Sequence, residues 1–182
     1  MEEAAFETAD GVGVTAVTAE EMRAVDRVAV EAVGIELLQM MENAGRTLAG
    51  QVSEIGDGSV LVVAGNGGNG GGGLACARHL ANRGVAVDVV LDREPGELSG
   101  AAATQYGILD EMGVAVRVGP EAVADSKPLV VVDALIGYGL GGAVREPAAS
   151  LIRELNGLGA SVLSLDVPSG VDATTGETLG VA

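Results

Sequence analysis

From residue 59 onward, short apolar blocks recur between stretches of helical spacing. "SVLVVAG" (59–65), "VAVDVVL" (85–91), "VAVRV" (114–118), "LVVVDAL" (129–135) and "SVLSLDV" (161–167) are built mainly of Val and Leu. Runs of this length bounded by turn residues predict strands, and near-continuous apolarity predicts strands covered on both faces. "VAVRV", shorter and more polar, is expected near an edge. Between the strands, residues 74–82, 101–112 and 147–155 have helical spacing, with Gly84 and Gly113 as stops and Pro147 at a start. Strand–helix alternation of this kind predicts an α/β protein with a mainly parallel, doubly wound sheet.

The first third reads differently. Residues 1–17 are small, acidic and aperiodic, which predicts a disordered lead-in. Thr18 and Glu21 have the spacing of a capping box and open a helix whose apolar positions are Met22, Val25, Val28, Ala29 and Ala32. After Gly34 a second helix carries Leu37, Leu38, Met41, Leu48, Val52 and Ile55 on one face, and "GDG" (56–58) ends it. There are no internal repeats and no linker, so residues 18–182 are expected to be one domain.

Composition narrows the classes. Hydrophobic residues make up 48% of the 182, enough for a real core, but aromatics only 2%, so that core must be aliphatic. The net charge is −16, with 26 acidic residues and Lys127 as the single lysine. No basic stripe exists to displace counterions from a phosphate backbone, which excludes nucleic acid as an expected partner. Acidity with so little lysine suggests a salt-rich, halophilic cytoplasm, where self-repulsion is screened. Cys76 is alone, so no intramolecular disulfide is available, and it reads as a small buried hydrophobe. No apolar run is long enough to cross a bilayer and the acidic N-terminus is unlike a signal peptide. The expectation is a soluble cytoplasmic protein that makes no membrane contact.

Three strand ends carry the candidate chemistry. Between Gly65 and Gly73, seven of nine residues are glycine. A glycine-rich turn from strand to helix exposes backbone N–H groups at the positive end of the helix dipole and lets a pyrophosphate approach closely. A merely tight structural turn is the other reading. No Gly-Lys-Ser/Thr follows, which excludes a Walker loop, and a Gly-x-Gly-x-x-Gly match is almost automatic in such a run. Asp133 ends "LVVVDAL" ahead of the flexible "IGYGLGG" loop, and Asp166 ends "SVLSLDV" ahead of Pro168, Ser169 and Gly170. Each Asp alone could cap a loop. Two of them beside a glycine loop in this topology favour a ligand site beyond the strand termini.

In order along the chain, "MENAGR" (41–46), "VVAGNGGNGGGGL" (62–74), "DALIGYGLGG" (133–142) and "DVPSGVDATTG" (166–176) together resemble the NAD(P)HX epimerase family, the YjeF N-terminal domain family. The resemblance runs from about Thr18 to the end. It implies a Rossmann-like three-layer α/β/α sandwich, commonly a homodimer. The implied reaction interconverts the R and S forms of hydrated NADH and NADPH (NADHX and NADPHX), a repair of damaged nicotinamide cofactor. The implied partner is an ADP- or ATP-dependent dehydratase that accepts only the S form and is separate or fused as a C-terminal domain. The resemblance also implies a potassium ion held by Asn69, Asp133 and Ser169, an oxygen-donor set that suits a hard cation. The substrate-binding residues it implies are Gly68, Asn69, Gly70, Gly71 and Gly72 in the first loop, Gly137, Tyr138, Gly139, Leu140, Gly141, Gly142 and Ala143 in the second, and Asp166.

Epimerisation at a carbinolamine carbon needs a proton shuttle, and Asp166 is the expected catalytic acid and base. Two residues depart from the family: Gly68 stands where it has Asn, and Gly72 where it has Asp. The family domain also continues past the "TTGE" region, so the chain reads as truncated at the C-terminus. These departures keep open a catalytically weakened nucleotide-binding or dimerisation module of the same fold. An ordinary NAD-dependent dehydrogenase would use Asp92, about 20 residues past the loop, as its ribose acid, but no substrate domain remains for it. The single histidine, His79, is expected on the helix surface or partly buried. Met40, Met41 and Leu38 are expected in the core. Glu42 and Asn43 either reach the site or bond nearby backbone, and Tyr138 either stacks on a ring or lies on the surface.

Overall fold

The computed structural model describes residues 6–56 and 58–182. Within the expected lead-in, Phe6–Glu7 (β1) and Gly13–Val14 (β2) pair antiparallel, Phe6 opposite Val14; residues 1–5 lie outside the described part. Thr18 caps α1 (Ala19–Val28) with the full reciprocal box, its hydroxyl accepting from Glu21 N–H. A π-helical turn, Ala29–Val33, follows and stops at Gly34, whose φ of 82° is a left-handed conformation that glycine adopts freely. Then α2 runs from Leu37 to Ile55.

The sheet is formed by β3 (Val60–Ala64), β4 (Val87–Leu91), β5 (Ala115–Val118), β6 (Val130–Ala134) and β7 (Ser161–Ser164), in the order β5-β4-β3-β6-β7, and every pairing is parallel. Val60 opposes both Val87 and Val130, so the three central strands share one register. The central strands are mostly apolar because both faces are covered, with Asp88 in β4 and Asp133 near the end of β6 as the exceptions. Leu48 and Val52 of α2, Leu74 and Leu80 of α3 (Gly68–Asn82), and Ala102 and Leu109 of α4 (Gly100–Glu111) pack on Val62, Ala64, Val89 and Val132. On the other face, Val123 of α5 (Pro120–Ala124) and Leu151, Ile152 and Leu155 of α6 (Ala148–Gly157) pack on Leu61, Val63, Val90 and Val131. The result is the expected three-layer α/β/α sandwich, with β5 at an edge. The short α5 was not visible in the hydrophobic pattern, because a single turn shows no periodicity.

Three differences from the sequence reading bear on function. First, the glycine run is not mainly loop: α3 begins at Gly68, six residues earlier than expected. Second, β7 ends at Ser164, not 167, because Asp166 turns the chain with a φ of 72°. Third, α1 buries none of its residues; Val25 and Val28 are 54% and 56% exposed. Its apolar stripe does not join the core.

Candidate functional site

Chain order along the sheet reverses between β3 and β6: the path from β3 goes out through β4 to β5, and from β6 to β7 on the other side. Their two following loops part at the carboxyl end and leave a crevice there. A cleft of about 760 Å³ opens at this point. Its floor comes from Gly67, Gly68 and Asn69 after β3, Leu135 to Gly139 after β6, and Leu165 and Asp166 after β7; α2 adds Met40, Met41 and Ala44, and α1 adds Met22, Arg23 and Asp26.

The structure brings together part of the expected site. Gly68, Asn69, Gly137, Tyr138, Gly139 and Asp166 line the cleft. Leu140, Gly141, Gly142 and Ala143 are outside its lining, farther along the same loop. Gly70, Gly71 and Gly72 are buried inside α3 and face protein. A Cβ on Gly70 would lie 1.7 Å from the Gly65 carbonyl oxygen, and one on Gly71 would lie 2.9 Å from Ala101 Cβ. On Gly73 it would lie 2.3 Å from Ala134 Cβ. These glycines let the helix settle directly on the strand termini, a packing role that composition alone could not separate from phosphate binding. Only the start of α3 faces the cleft, and its N-cap, Gly67, supplies no side-chain cap, which leaves the first-turn N–H groups open to an anion.

The two departures differ in their surroundings. A Cβ on Gly68 would meet nothing nearer than Met41 Sδ at 3.7 Å, so the space for the family's Asn is open. A Cβ on Gly72 would lie 2.6 Å from Leu165 Cδ2, so here Leu165 fills that space.

Asp133 and Ser169 are both buried and bonded to each other. Asp133 Oδ1 accepts from Ser169 Oγ at 2.6 Å and from Leu135 N–H at 3.3 Å; Oδ2 accepts from Ser169 N–H at 2.8 Å and Ser164 Oγ at 3.1 Å. Ser169 Oγ accepts from Ile136 N–H at 2.9 Å and lies 3.1 Å from the Ile136 carbonyl. Next to Ile136, Asn69 Oδ1 is 3.1 Å from where a Gly137 Cβ would stand. Asn69 Nδ2 is sealed from solvent with no partner, a costly state for an amide. A half-turn of the amide would put its oxygen there instead. A buried carboxylate whose hydrogen-bond partners include no basic side chain, beside an orphaned amide and backbone carbonyls, is a donor set suited to a hard cation.

Asp166 is exposed at the cleft, and its Oδ2 accepts from Tyr138 N–H at 2.6 Å. A side chain at Gly137 would push that oxygen aside, since a Cβ would come within 2.6 Å of it. The Tyr138 hydroxyl donates to Asp26 Oδ2, and burial followed by this bond pushes the phenol up to about 12. Arg23 is the one basic residue lining the cleft among those described. None of the three α1 residues was expected here. Met22 was read only as part of the apolar face of the first helix, and nothing in the spacing of Arg23 and Asp26 distinguishes them from a solvated face.

The remaining candidates resolve into structural roles. Glu42 pairs with Arg78 and, through Oε1 at 2.7 Å, with His79 Nε2, joining α2 to α3; the Arg78 guanidinium holds its carboxyl below the usual range. Asn43 accepts from Arg46 at 3.2 Å. Gly45 allows α2 and α3 to touch, since a Cβ would be 2.6 Å from Ala75 Cβ. Met40 and Met41 line the cleft instead of the core. Cys76 is buried, as expected, with its thiol pushed up to about 12 by that burial. Asp92 is buried and held by Arg93 in a two-pronged pair at 2.9 and 2.8 Å, so its carboxylate is engaged and the dehydrogenase reading loses its ribose acid. No helix among the described residues is long and apolar enough to cross a membrane.

Comparison with known proteins agrees with the geometry. Residues 37–182 match the family model described as YjeF-related protein N-terminus. The chain is 48% identical over 180 residues to a protein of Dehalogenimonas lykanthroporepellens named NAD(P)H-hydrate epimerase, covering 96% of this chain and 73% of that one. It is 40% identical over 183 residues to a Salinibacter ruber protein named bifunctional NAD(P)H-hydrate repair enzyme Nnr; the match covers 91% of this chain but 34% of that longer one. Among solved structures, that of the yeast protein ynu0 superposes with a TM-score of 0.78 at 28% identity, over 87% of this chain and 72% of that one.

Proposed function

The chain belongs to the family of YjeF-related protein N-termini, and we propose from that membership that its strand-end cleft epimerises hydrated NADH and NADPH. The observation that carries the reading is the placement of Asp166. Its carboxylate, held through Oδ2 by the Tyr138 N–H, is exposed to the cleft at the carboxyl end of a parallel sheet, beside an uncapped helix N-terminus that can take a phosphate. Relatives named as epimerases favour this over a non-catalytic module.

In the proposed course, the ring nitrogen's lone pair expels the hydroxyl while a proton passes by way of Asp166 to the departing oxygen, releasing water and leaving an iminium. Water then adds to the opposite face of the planar carbon and a proton returns to Asp166. Every atom is restored and only the configuration changes. The open amides at the start of α3 and the Arg23 guanidinium would bind phosphate. Asn69, Asp133 and Ser169 would hold potassium, whose charge would offset the acidic surroundings of an anionic substrate.

A coupled assay tests this. The R form of hydrated NADH is supplied to an excess of S-specific dehydratase with its nucleotide, and recovery of NADH is followed at 340 nm. The full chain is expected to speed recovery above the spontaneous rate, more in potassium than in an equal concentration of choline. Recovery at the spontaneous rate in both salts would defeat the epimerase reading.

A dehydratase is the partner this reading requires, and in the bifunctional relatives this chain matches about a third of the whole length. We also propose a homodimer through the outer side of α1 and the π-helical turn, where Val25, Val28 and Val33 are left exposed. Sedimentation equilibrium is expected to give twice the 18.0 kDa chain mass; a single-chain mass at all concentrations would overturn this.

A further inference from the structure

Asp166 is placed by a loop that cannot place itself. The N–H that aims its carboxylate belongs to Tyr138, which sits between Gly137 and Gly139. Flanking glycines leave that peptide unit little intrinsic preference for one orientation. What holds Tyr138 is α1, 112 residues earlier in the chain. The phenol donates to Asp26 Oδ2, and the Arg23 guanidinium lies 5.8 Å from the centre of the same ring. One residue thus bonds both acids, by its side chain to Asp26 and by its backbone to Asp166.

Resting on the epimerase reading, we propose that Asp26 is a positioning residue for the reaction: by gripping the Tyr138 phenol it fixes the backbone N–H that aims Asp166, and it seats α1 at the cleft.

The physical case has three parts. First, α1 has no buried residue, so apolar packing does not set its place. Its attachments are polar: Asp26 to Tyr138, and Ala19 N–H to Thr174 Oγ1 at 3.0 Å. Second, burial and the bond to Asp26 both keep the phenol protonated well above neutral pH, so it remains the donor in this pair. Third, a small misplacement of a reacting group is expensive. About 1 Å of error is worth roughly a hundredfold in rate, and the phenol–Asp26 bond is the side-chain hydrogen bond that ties this glycine-flanked loop to α1.

The test is steady-state kinetics on the full chain with purified R-form substrate and coupled dehydratase. Asp26→Ala is expected to lower kcat by about 10- to 100-fold while KM moves less. Asp26→Asn should restore most of the loss, because its amide oxygen still accepts from the phenol. Tyr138→Phe should match Asp26→Ala, and the double variant should be no worse than either alone, since both cut one connection. Circular dichroism should show all four folded, as α1 contributes nothing to the core. An unchanged kcat in Asp26→Ala, failure of Asn to rescue, or losses that multiply in the double variant would each overturn the inference. An inactive wild-type chain would defeat the epimerase reading instead, so the two failures are distinguishable.

Discussion

Asp166→Asn is expected to abolish most of the catalysed epimerisation, with kcat down by on the order of 10²–10⁴, while the chain keeps its fold. The choice of Asn follows from the backbone. Residue 166 has a φ of 72°, and Asn is among the few side chains that enter this region readily. Its amide oxygen can still accept the Tyr138 N–H that now reaches Oδ2, so the second loop keeps its anchor. What it lacks is a proton to give at the leaving hydroxyl. Asp166→Ala removes the shuttle too, but adds about 1–2 kcal/mol of backbone strain and frees the loop, so its loss would be harder to interpret. The coupled assay and a thermal melt, run on the same sample, check both halves. Full turnover in Asp166→Asn would remove this residue from the proposed role.

The second large effect is on stability. Gly70→Ala should cost upwards of about 3 kcal/mol, at the top of the range for overpacking, and should take the cleft with it. The new methyl would stand 1.7 Å from the Gly65 carbonyl oxygen and 2.6 Å from its carbon. Both are backbone atoms at the end of β3, so no side chain can swing aside. The helix must lift from the strand terminus that it shares with the ligand loop. Gly68→Ala, two residues away, is the control. Its nearest neighbour would be Met41 Sδ at 3.7 Å, and replacing glycine in a helix gains roughly 0.5–1 kcal/mol. Urea unfolding of the two variants should therefore shift the midpoint in opposite directions. Equal midpoints would show that the glycine run is not shaped by packing.

The strands were legible because their signal is local. "SVLVVAG" and "LVVVDAL" are continuous Val-rich runs with turn residues at each end, and nothing competes with that reading. The Thr18–Glu21 box was legible for the same reason, since both of its bonds lie within four residues. The start of α3 was not. The glycines among residues 68–73 have the lowest helix propensity available apart from proline, and they are helical because of what they pack against, including Ala101 and Ala134, residues that no local window contains. β7 was extended three residues too far because "LDV" continues its alternation, while the left-handed turn at Asp166 leaves no mark in the letters. The site divides in the same way. Asn69, Asp133, Asp166 and Ser169 could be proposed because each ends or follows a strand in a recognisable string. Arg23 and Asp26 could not, because their partner is Tyr138, more than a hundred positions on, and charged residues on an amphipathic helix ordinarily face water.

The glycine-built first half of α3 also constrains how the molecule assembles. A segment with so little intrinsic helicity cannot nucleate alone; it winds only against a sheet and an α2 that already exist. Its native contacts should be absent from the folding transition state, so mild substitutions there should speed unfolding and leave the folding rate nearly unchanged. The end of the cleft at the start of α3 would then be the last part to form and the first to open.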